Sequence, residues 1–289
     1  MRFSFVLLVA LGLSPLAAAQ QSGDPSSTPQ VAAPRVATPA PASSSSDCAA
    51  LSAGDPEMAS LATVCEFARG FRSNLPDFIC QQTTTTNNLK VIQATVTFVN
   101  GKESYSNTLV NGKPLTAKAA ANEKEHTLLT SGELGSDLVH LFAAPIATEF
   151  KFKKKATLNG QAALVYELRL PEDKNTFWSI SVGSYGIVKP ELHGELWIDQ
   201  NQDRLLRLKF GPVSVPRFDI TSSTTVIDYA DVLLGDAGVF LLPKSSETTV
   251  CVKTNSATGQ GTQLNCHRNA MNFHDCHKFG SSTRIADPQ

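Results

Sequence analysis

Three Asn-Gly dipeptides, Asn100-Gly101, Asn111-Gly112 and Asn159-Gly160, each interrupt a run of β-type residues. Asn and Gly tolerate the positive φ that a type I′ turn requires at both central positions, so each pair marks a tight antiparallel hairpin. Three of them in one chain predict a meander. The flanking segments agree. Phe78-Ile79-Cys80-Gln81-Gln82-Thr83 opens a strand, and Lys90 to Val99 alternates Val91, Gln93, Thr95 and Thr97 against Ile92, Ala94, Val96 and Phe98. Gly194 to Asp199 and Arg204 to Lys209 flank the turn Gln200-Asn201-Gln202-Asp203, and Thr224 to Tyr229, Phe240 to Leu242 and Ser245 to Lys253 supply more strands. The total comes to roughly ten or eleven strands.

Helices are few. Asp55-Pro56-Glu57 is a helix start: a capping aspartate, a proline at the first position and an acid near the positive end. Leu61, Val64, Cys65, Ala68 and Phe71 follow at helical spacing, and Asn74-Leu75-Pro76 ends the run. Glu133 to Phe142 reads as a second helix, apolar at Leu134, Leu138, Leu141 and Phe142. The expected fold class is therefore mainly antiparallel β (α+β), a curved meander sheet or half-barrel with one or two helices covering its apolar face.

The amino terminus reads as an export signal. Met1-Arg2 is a short positive start, Phe3 to Leu13 is apolar, and Ala17-Ala18-Ala19 is a small-residue cleavage site, which places cleavage after Ala19. Residues 20–47, rich in Pro, Ala and Ser, lack apolar periodicity and read as a disordered tether. Residues 48–280 form the expected single β-rich domain, and 281–289 a flexible tail. No later segment approaches the roughly 20 apolar residues of a spanning helix, so the mature chain is expected to carry no transmembrane span and to be periplasmic or secreted. An outer-membrane barrel is disfavoured, since aromatics make up only 7% of residues and the chain ends in a polar stretch.

Six cysteines, an even number in an exported chain, indicate up to three disulfides. Thr248 to Val252 and Gln263 to His267 flank the turn-forming stretch 255–261. A hairpin centred there sets Cys251 opposite Cys266, near enough to bridge. Cys48 with Cys65 and Cys80 with Cys276 is the pairing left over.

A net charge of -1 gives no electrostatic case for nucleic acid. The chain holds no G-x-S-x-G elbow, Walker loop or H-E-x-x-H motif, so no catalytic residue is nominated and no cofactor is implied. His267, His274, Cys276 and His277, with Cys266 beside them, are zinc- or copper-type ligands by chemistry. Cystine formation would remove both sulfurs, and surface histidines with structural cystines is the preferred reading, with no metal site assigned. Phe98, Phe142, Phe150, Phe152, Trp178 and Trp197 are candidates to line an apolar ligand cavity, against a plain core role. Lys151-Phe152-Lys153-Lys154-Lys155 reads as a solvated sheet edge, where lysines discourage strand-to-strand association.

Gly194-Glu195-Leu196-Trp197-Ile198-Asp199 followed by Arg204-Leu205-Leu206-Arg207 resembles the strand-turn-strand of the periplasmic lipoprotein-carrier and stress-regulator (LolA-like) half-barrels. Leu75 to Thr83 and Gly132-Glu133-Leu134-Gly135-Ser136 are similar to segments of uncharacterised secreted bacterial proteins. The resemblance implies a non-enzymatic binding protein that holds a lipid, a lipoprotein acyl chain or another hydrophobic ligand in a concave sheet. Two alternatives stand beside it: an envelope protein-interaction or structural module, and a hydrolase or metal-dependent enzyme.

Overall fold

The structure is a computed structural model that describes residues 45–87, 89–115, 132–144, 146–181, 186–255 and 261–279. The signal segment, the tether up to residue 44 and the tail expected at 281–289 lie outside the described residues.

Eleven strands form one open antiparallel sheet. They are β1 (Phe78–Thr86), β2 (Val91–Val99), β3 (Lys102–Val110), β4 (Lys113–Pro114), β5 (Glu149–Leu158), β6 (Gln161–Leu170), β9 (Leu192–Asp199), β10 (Leu205–Gly211), β11 (Ile220–Leu233), β12 (Val239–Asn255) and β13 (Thr262–Lys278). A separate ribbon pairs β7 (Ile180–Ser181) with β8 (Ile187–Val188). The three Asn-Gly pairs join β2 to β3, β3 to β4 and β5 to β6, and all six residues have positive φ. Spatial order runs β4-β3-β2-β1-β13-β12-β11-β10-β9-β6-β5. Two meanders thus meet where the first strand pairs with the last. The lysine-rich β5 is an edge strand, with Lys151, Lys153, Lys154 and Lys155 all exposed.

Helices lie against one face, here called the inner face. Asp55 caps a 3-10 turn at Pro56–Met58 by accepting from the Glu57 N–H at 2.9 Å, and α2 (Ala59–Asn74) follows. Its buried stripe is Leu61, Val64, Cys65, Ala68 and Phe71, the spacing expected of one helical face. A further helix, α1 (Ser45–Leu51), begins three residues before the expected domain boundary. The Cys48–Cys65 disulfide and an Arg69–Asp47 ion pair at 3.1 Å join it to α2.

The second expected helix is shorter than its apolar pattern. α3 covers only Ser136–Leu141, because Gly132 and Gly135 hold φ of 105° and 146° in the turn before it. Gly135 also backs onto Phe71 of α2, and a Cβ there would come within 2.1 Å of the ring. Apolarity was read as helix where a close approach required a turn.

The inner face carries two apolar clusters. The larger gathers α2, α3 and the inward residues of β6, β9, β10 and β11, among them Tyr166, Leu168, Leu196, Leu208, Phe210 and Ile227. The smaller centres on Phe71, Phe78, Val96, Phe98, Met271 and Phe273. Cys251 stands opposite Cys266 in the β12–β13 register, with Cα atoms 4.0 Å apart, and the two are bonded. Cys80–Cys276 bridges β1 to β13.

Two measurements follow from this frame. Gly135→Ala should lose about 2 kcal/mol or more, from overpacking and a disfavoured φ, in urea denaturation of the oxidised protein. An unchanged midpoint would mean that Phe71 can move aside. Paired Cys→Ser changes should cost more at Cys80–Cys276 (about 5 kcal/mol) than at Cys251–Cys266 (about 3 kcal/mol), since the first bond closes the longer loop in the chain-entropy model. The reverse order would reject that account.

Candidate functional site

Period-two alternation places every strand residue on the inner or the outer face. On β9, Leu192, Leu196 and Ile198 face the helices, whereas His193, Glu195 and Trp197 face outward. Trp197 is therefore a correction to the set of six cavity residues. It stands opposite Val165 and Arg207 on the outer face and donates its Nε1–H to Glu195 at 3.2 Å. The other five are inward, but they are shared between the clusters. Phe98 stacks on Phe78 at 5.0 Å in the smaller one. Phe142 stacks on Phe150 at 4.9 Å, Phe152 meets Tyr166 edge-on, and Trp178 meets Phe210 edge-on, all in the larger one.

Between these clusters the inner face turns polar. Gln82, Thr84 and Thr86 of β1, Ser223 and Thr225 of β11, Ser246 and Thr248 of β12 and Asn269 of β13 are all buried. Register ties them into one strip: Thr86 is opposite Asn269, Asn269 opposite Thr248, and Thr248 opposite Thr225. Some members satisfy each other, as Thr225 does with Thr248 at 3.0 Å and as Gln82 Nε2 does by donating to Thr84 at 3.1 Å. Gln82 Oε1 and Ser223 Oγ, however, are buried without a hydrogen-bond partner. Each such group costs about 1–3 kcal/mol relative to a satisfied one. An apolar core has no use for that strip, so it is the first candidate for a ligand surface.

A second polar feature lies under α3. Ser136 Oγ donates to Glu103 Oε1 at 2.9 Å and Tyr105 Oη donates to Glu103 Oε2 at 3.1 Å. Glu133 and Asp137, from the turn and the first turn of α3, are 2% and 5% exposed. Burial pushes the Asp137 carboxyl well above the ordinary aspartate range, and the neighbouring Glu133 and Glu103 push the same way. Burial also raises Glu103, against the lowering by its bonds to Ser136 and Tyr105. The Tyr229 hydroxyl of β11 is buried without a partner, and its pKa is raised by burial and then by Asp137 and Glu103.

A groove of about 850 Å³ over β5, β6, β9, β10 and β11 is lined by Phe150, Leu168, Phe210 and Ser223 and by charged side chains. Several of the charges pair among themselves. Lys153 bridges Glu167 and Glu195, each at 2.9 Å, and Arg169 bridges Glu149 at 3.1 Å and Glu191 at 2.7 Å. Exposed pairs of this kind are worth about 0–1 kcal/mol each, and Lys151 and Lys209 line the same groove. The histidine group does not converge either. His267 and His274 are seven residues apart on β13, roughly 23 Å along an extended strand. Cys266 and Cys276 are both in disulfides, which removes their sulfurs as ligands.

Sequence reading missed both inner polar features. Thr83 to Thr86 is a run of one residue type and carries no visible alternation. Glu103, Glu133 and Asp137 are scattered along the chain and look like ordinary surface acids.

The raised Asp137 pKa has a consequence for stability. The folded chain binds this proton more tightly than the unfolded chain does. Its stabilising contribution is therefore whole below the ordinary aspartate pKa and is lost as pH climbs through the raised value. Asp137→Asn should melt higher than the parent at pH 7 and converge with it near about pH 3. A variant melting lower at pH 7 would show that the carboxylate is satisfied.

No family model matches the chain, and no curated protein matches it. Among solved structures it is similar to a Vibrio parahaemolyticus domain described as one for outer membrane lipoprotein sorting, at 12% identity and a TM-score of 0.37, covering 77% of this chain and 94% of that one. It is similar to a LolA superfamily protein of Nitrosomonas europaea at 11% identity and a TM-score of 0.32, covering 77% and 95%. The lipoprotein LppX of Mycobacterium tuberculosis aligns at 7% identity and a TM-score of 0.27, covering 76% and 97%.

Proposed function

We propose that the protein is an exported, non-enzymatic binding protein that takes an acyl-bearing amphiphile, a lipid or the acylated end of a lipoprotein, on the inner face of its sheet. The observation that carries this reading is the buried Ser/Thr/Gln/Asn strip between two apolar clusters, with Gln82 Oε1 and Ser223 Oγ unpartnered. An amphiphile matches that surface in kind. Its chain lies against residues such as Phe150, Phe152 and Phe210, and its polar linkage meets hydroxyls and amides. Binding sites are mostly apolar with few polar anchors, and an orphaned polar atom costs the apo protein stability that a ligand contact recovers.

Export fits the signal-like start and the three disulfides, which persist in oxidising compartments. Among the described residues no helix is long and apolar enough to cross a membrane.

Native mass spectrometry of the full chain purified from an oxidising compartment, followed by solvent extraction, tests the proposal. The expected result is a co-purifying amphiphile near one per chain, whose retention falls when Thr225 and Thr248 are both changed to Val. A bare disulfide-bonded mass that also fails to take up added lysolipid overturns it and moves the search to protein partners.

A further inference from the structure

The lysine run of β5 belongs to neither polar feature of the inner face. β5 is the last strand of the sheet and pairs only with β6. Lys151, Lys153, Lys154 and Lys155 follow one another closely along it, and all are exposed. A rise of about 3.3 Å per residue keeps them within roughly 13 Å of strand. Lys153 is held by Glu167 and Glu195, each at 2.9 Å. Among the described residues the side chains of Lys151, Lys154 and Lys155 have no ion-pair partner. The acids nearby do not change this. Glu149 is held by Arg169 and Glu167 by Lys153, and Glu57, exposed on the 3-10 turn that packs against β5, pairs with none of the three lysines.

Strand parity spreads these charges to both sides of the edge. Lys151 stands opposite Glu167 and Lys154 opposite Val165, both outer-face residues of β6. Lys155 stands opposite Leu164, which packs on the larger apolar cluster. The positive charge is therefore centred on the rim of the sheet rather than on either face. A ligand lying along one face would meet only part of it, whereas a flat anionic surface met edge-on meets all of it.

A protein strand is the other occupant that a sheet edge can take. The bulge between Phe152 and Lys154 interrupts the outward row of N–H and C=O groups, which disfavours strand addition. Phe150 and Phe152, half-buried on the inner side of the same strand, set apolar rings beside the lysines. Lysines next to apolar rings are the combination that interfacial membrane segments use. The whole chain has a net charge of -1, so it has no general attraction to an anionic surface. Any attraction has to be local, since charges act only over about 8–10 Å at physiological salt.

We propose that the β5 edge, through Lys151, Lys154 and Lys155, docks the protein on the surface of an anionic lipid bilayer. Edge-on docking brings the end of the inner face at Phe150 and Phe152 next to the lipid. The docking edge is separate from the buried hydroxyl and amide strip and does not depend on a bound amphiphile.

The test is co-sedimentation of the disulfide-bonded protein, purified from an oxidising compartment, with two kinds of vesicle at neutral pH. One is phosphatidylcholine alone, and in the other roughly a quarter of the lipid is anionic phosphatidylglycerol. Partition into the anionic vesicles should be at least about tenfold stronger and should fall as salt is raised. The triple variant Lys151→Gln, Lys154→Gln, Lys155→Gln should lose that preference with its melting temperature unchanged. A charge-matched control, Lys102→Gln, Lys113→Gln, Lys244→Gln, replaces exposed lysines of β3, β4 and β12 and should keep it. Equal partition into the two vesicle types, or none into either, overturns the docking edge. An equal loss in both triple variants also overturns it, because net charge would then be the cause. A protein that ignores the anionic vesicles but binds an extended polyglutamate peptide assigns the edge to an acidic strand and overturns the bilayer proposal. An edge variant that loses vesicle binding yet keeps its co-purifying amphiphile upholds the docking edge and the amphiphile reading separately.

Discussion

The pairing of β1 with β13 is the contact on which the rest of the molecule depends. It joins strands almost two hundred residues apart, and the Cys80–Cys276 bond with a sequence separation of 196 lies across it. Without it the sheet would fall into two separate meanders. With it, Phe78 and Val96 from the first meander share a cluster with Met271 and Phe273 from the last strand. The entropy of closing so long a loop opposes this step, which is why a covalent bond at that seam has more to contribute than one within a hairpin.

Once the sheet is single, its two faces divide the polar residues by kind. The outer face solves its charge locally, with Lys153 and Arg169 each held between two glutamates. The inner face does not reach the same balance. Its hydroxyl and amide strip leaves two atoms unpartnered, and its acids under α3 sit where burial disfavours their charge. Local rules of foldability are broken on the face that a ligand would use, and kept on the face that water already satisfies.

The segment Gly132–Phe142 links packing to that imbalance. Gly135 lets the turn come down on Phe71, and the same close approach delivers Glu133 and Asp137 to the sheet beside Glu103. The glycine that shortens α3 is also the one that lets the segment approach α2.

Features governed by neighbours in sequence were legible from residues alone. The Asn-Gly turns follow from backbone sterics, the stripe of α2 from a 3.6-residue period, and the Cys251–Cys266 juxtaposition from counting outward along a hairpin. The open antiparallel sheet with helical cover followed from the same local signals. Which face each residue takes was not legible throughout. Strand parity resets at bulges such as those near Phe152, Leu205 and Asp228, and the threonine run of β1 gives no contrast to read. The uniform threonine run hid the polar strip, whereas Trp197 was nominated for its aromatic ring although Leu196 and Ile198 beside it take the inward positions. The acid cluster depends on loop closure, a glycine approach and the β1–β13 seam at once. Pairwise patterns along the chain determined the strands and turns, whereas the convergence of distant polar groups was decided only by how the whole sheet and its helices close together.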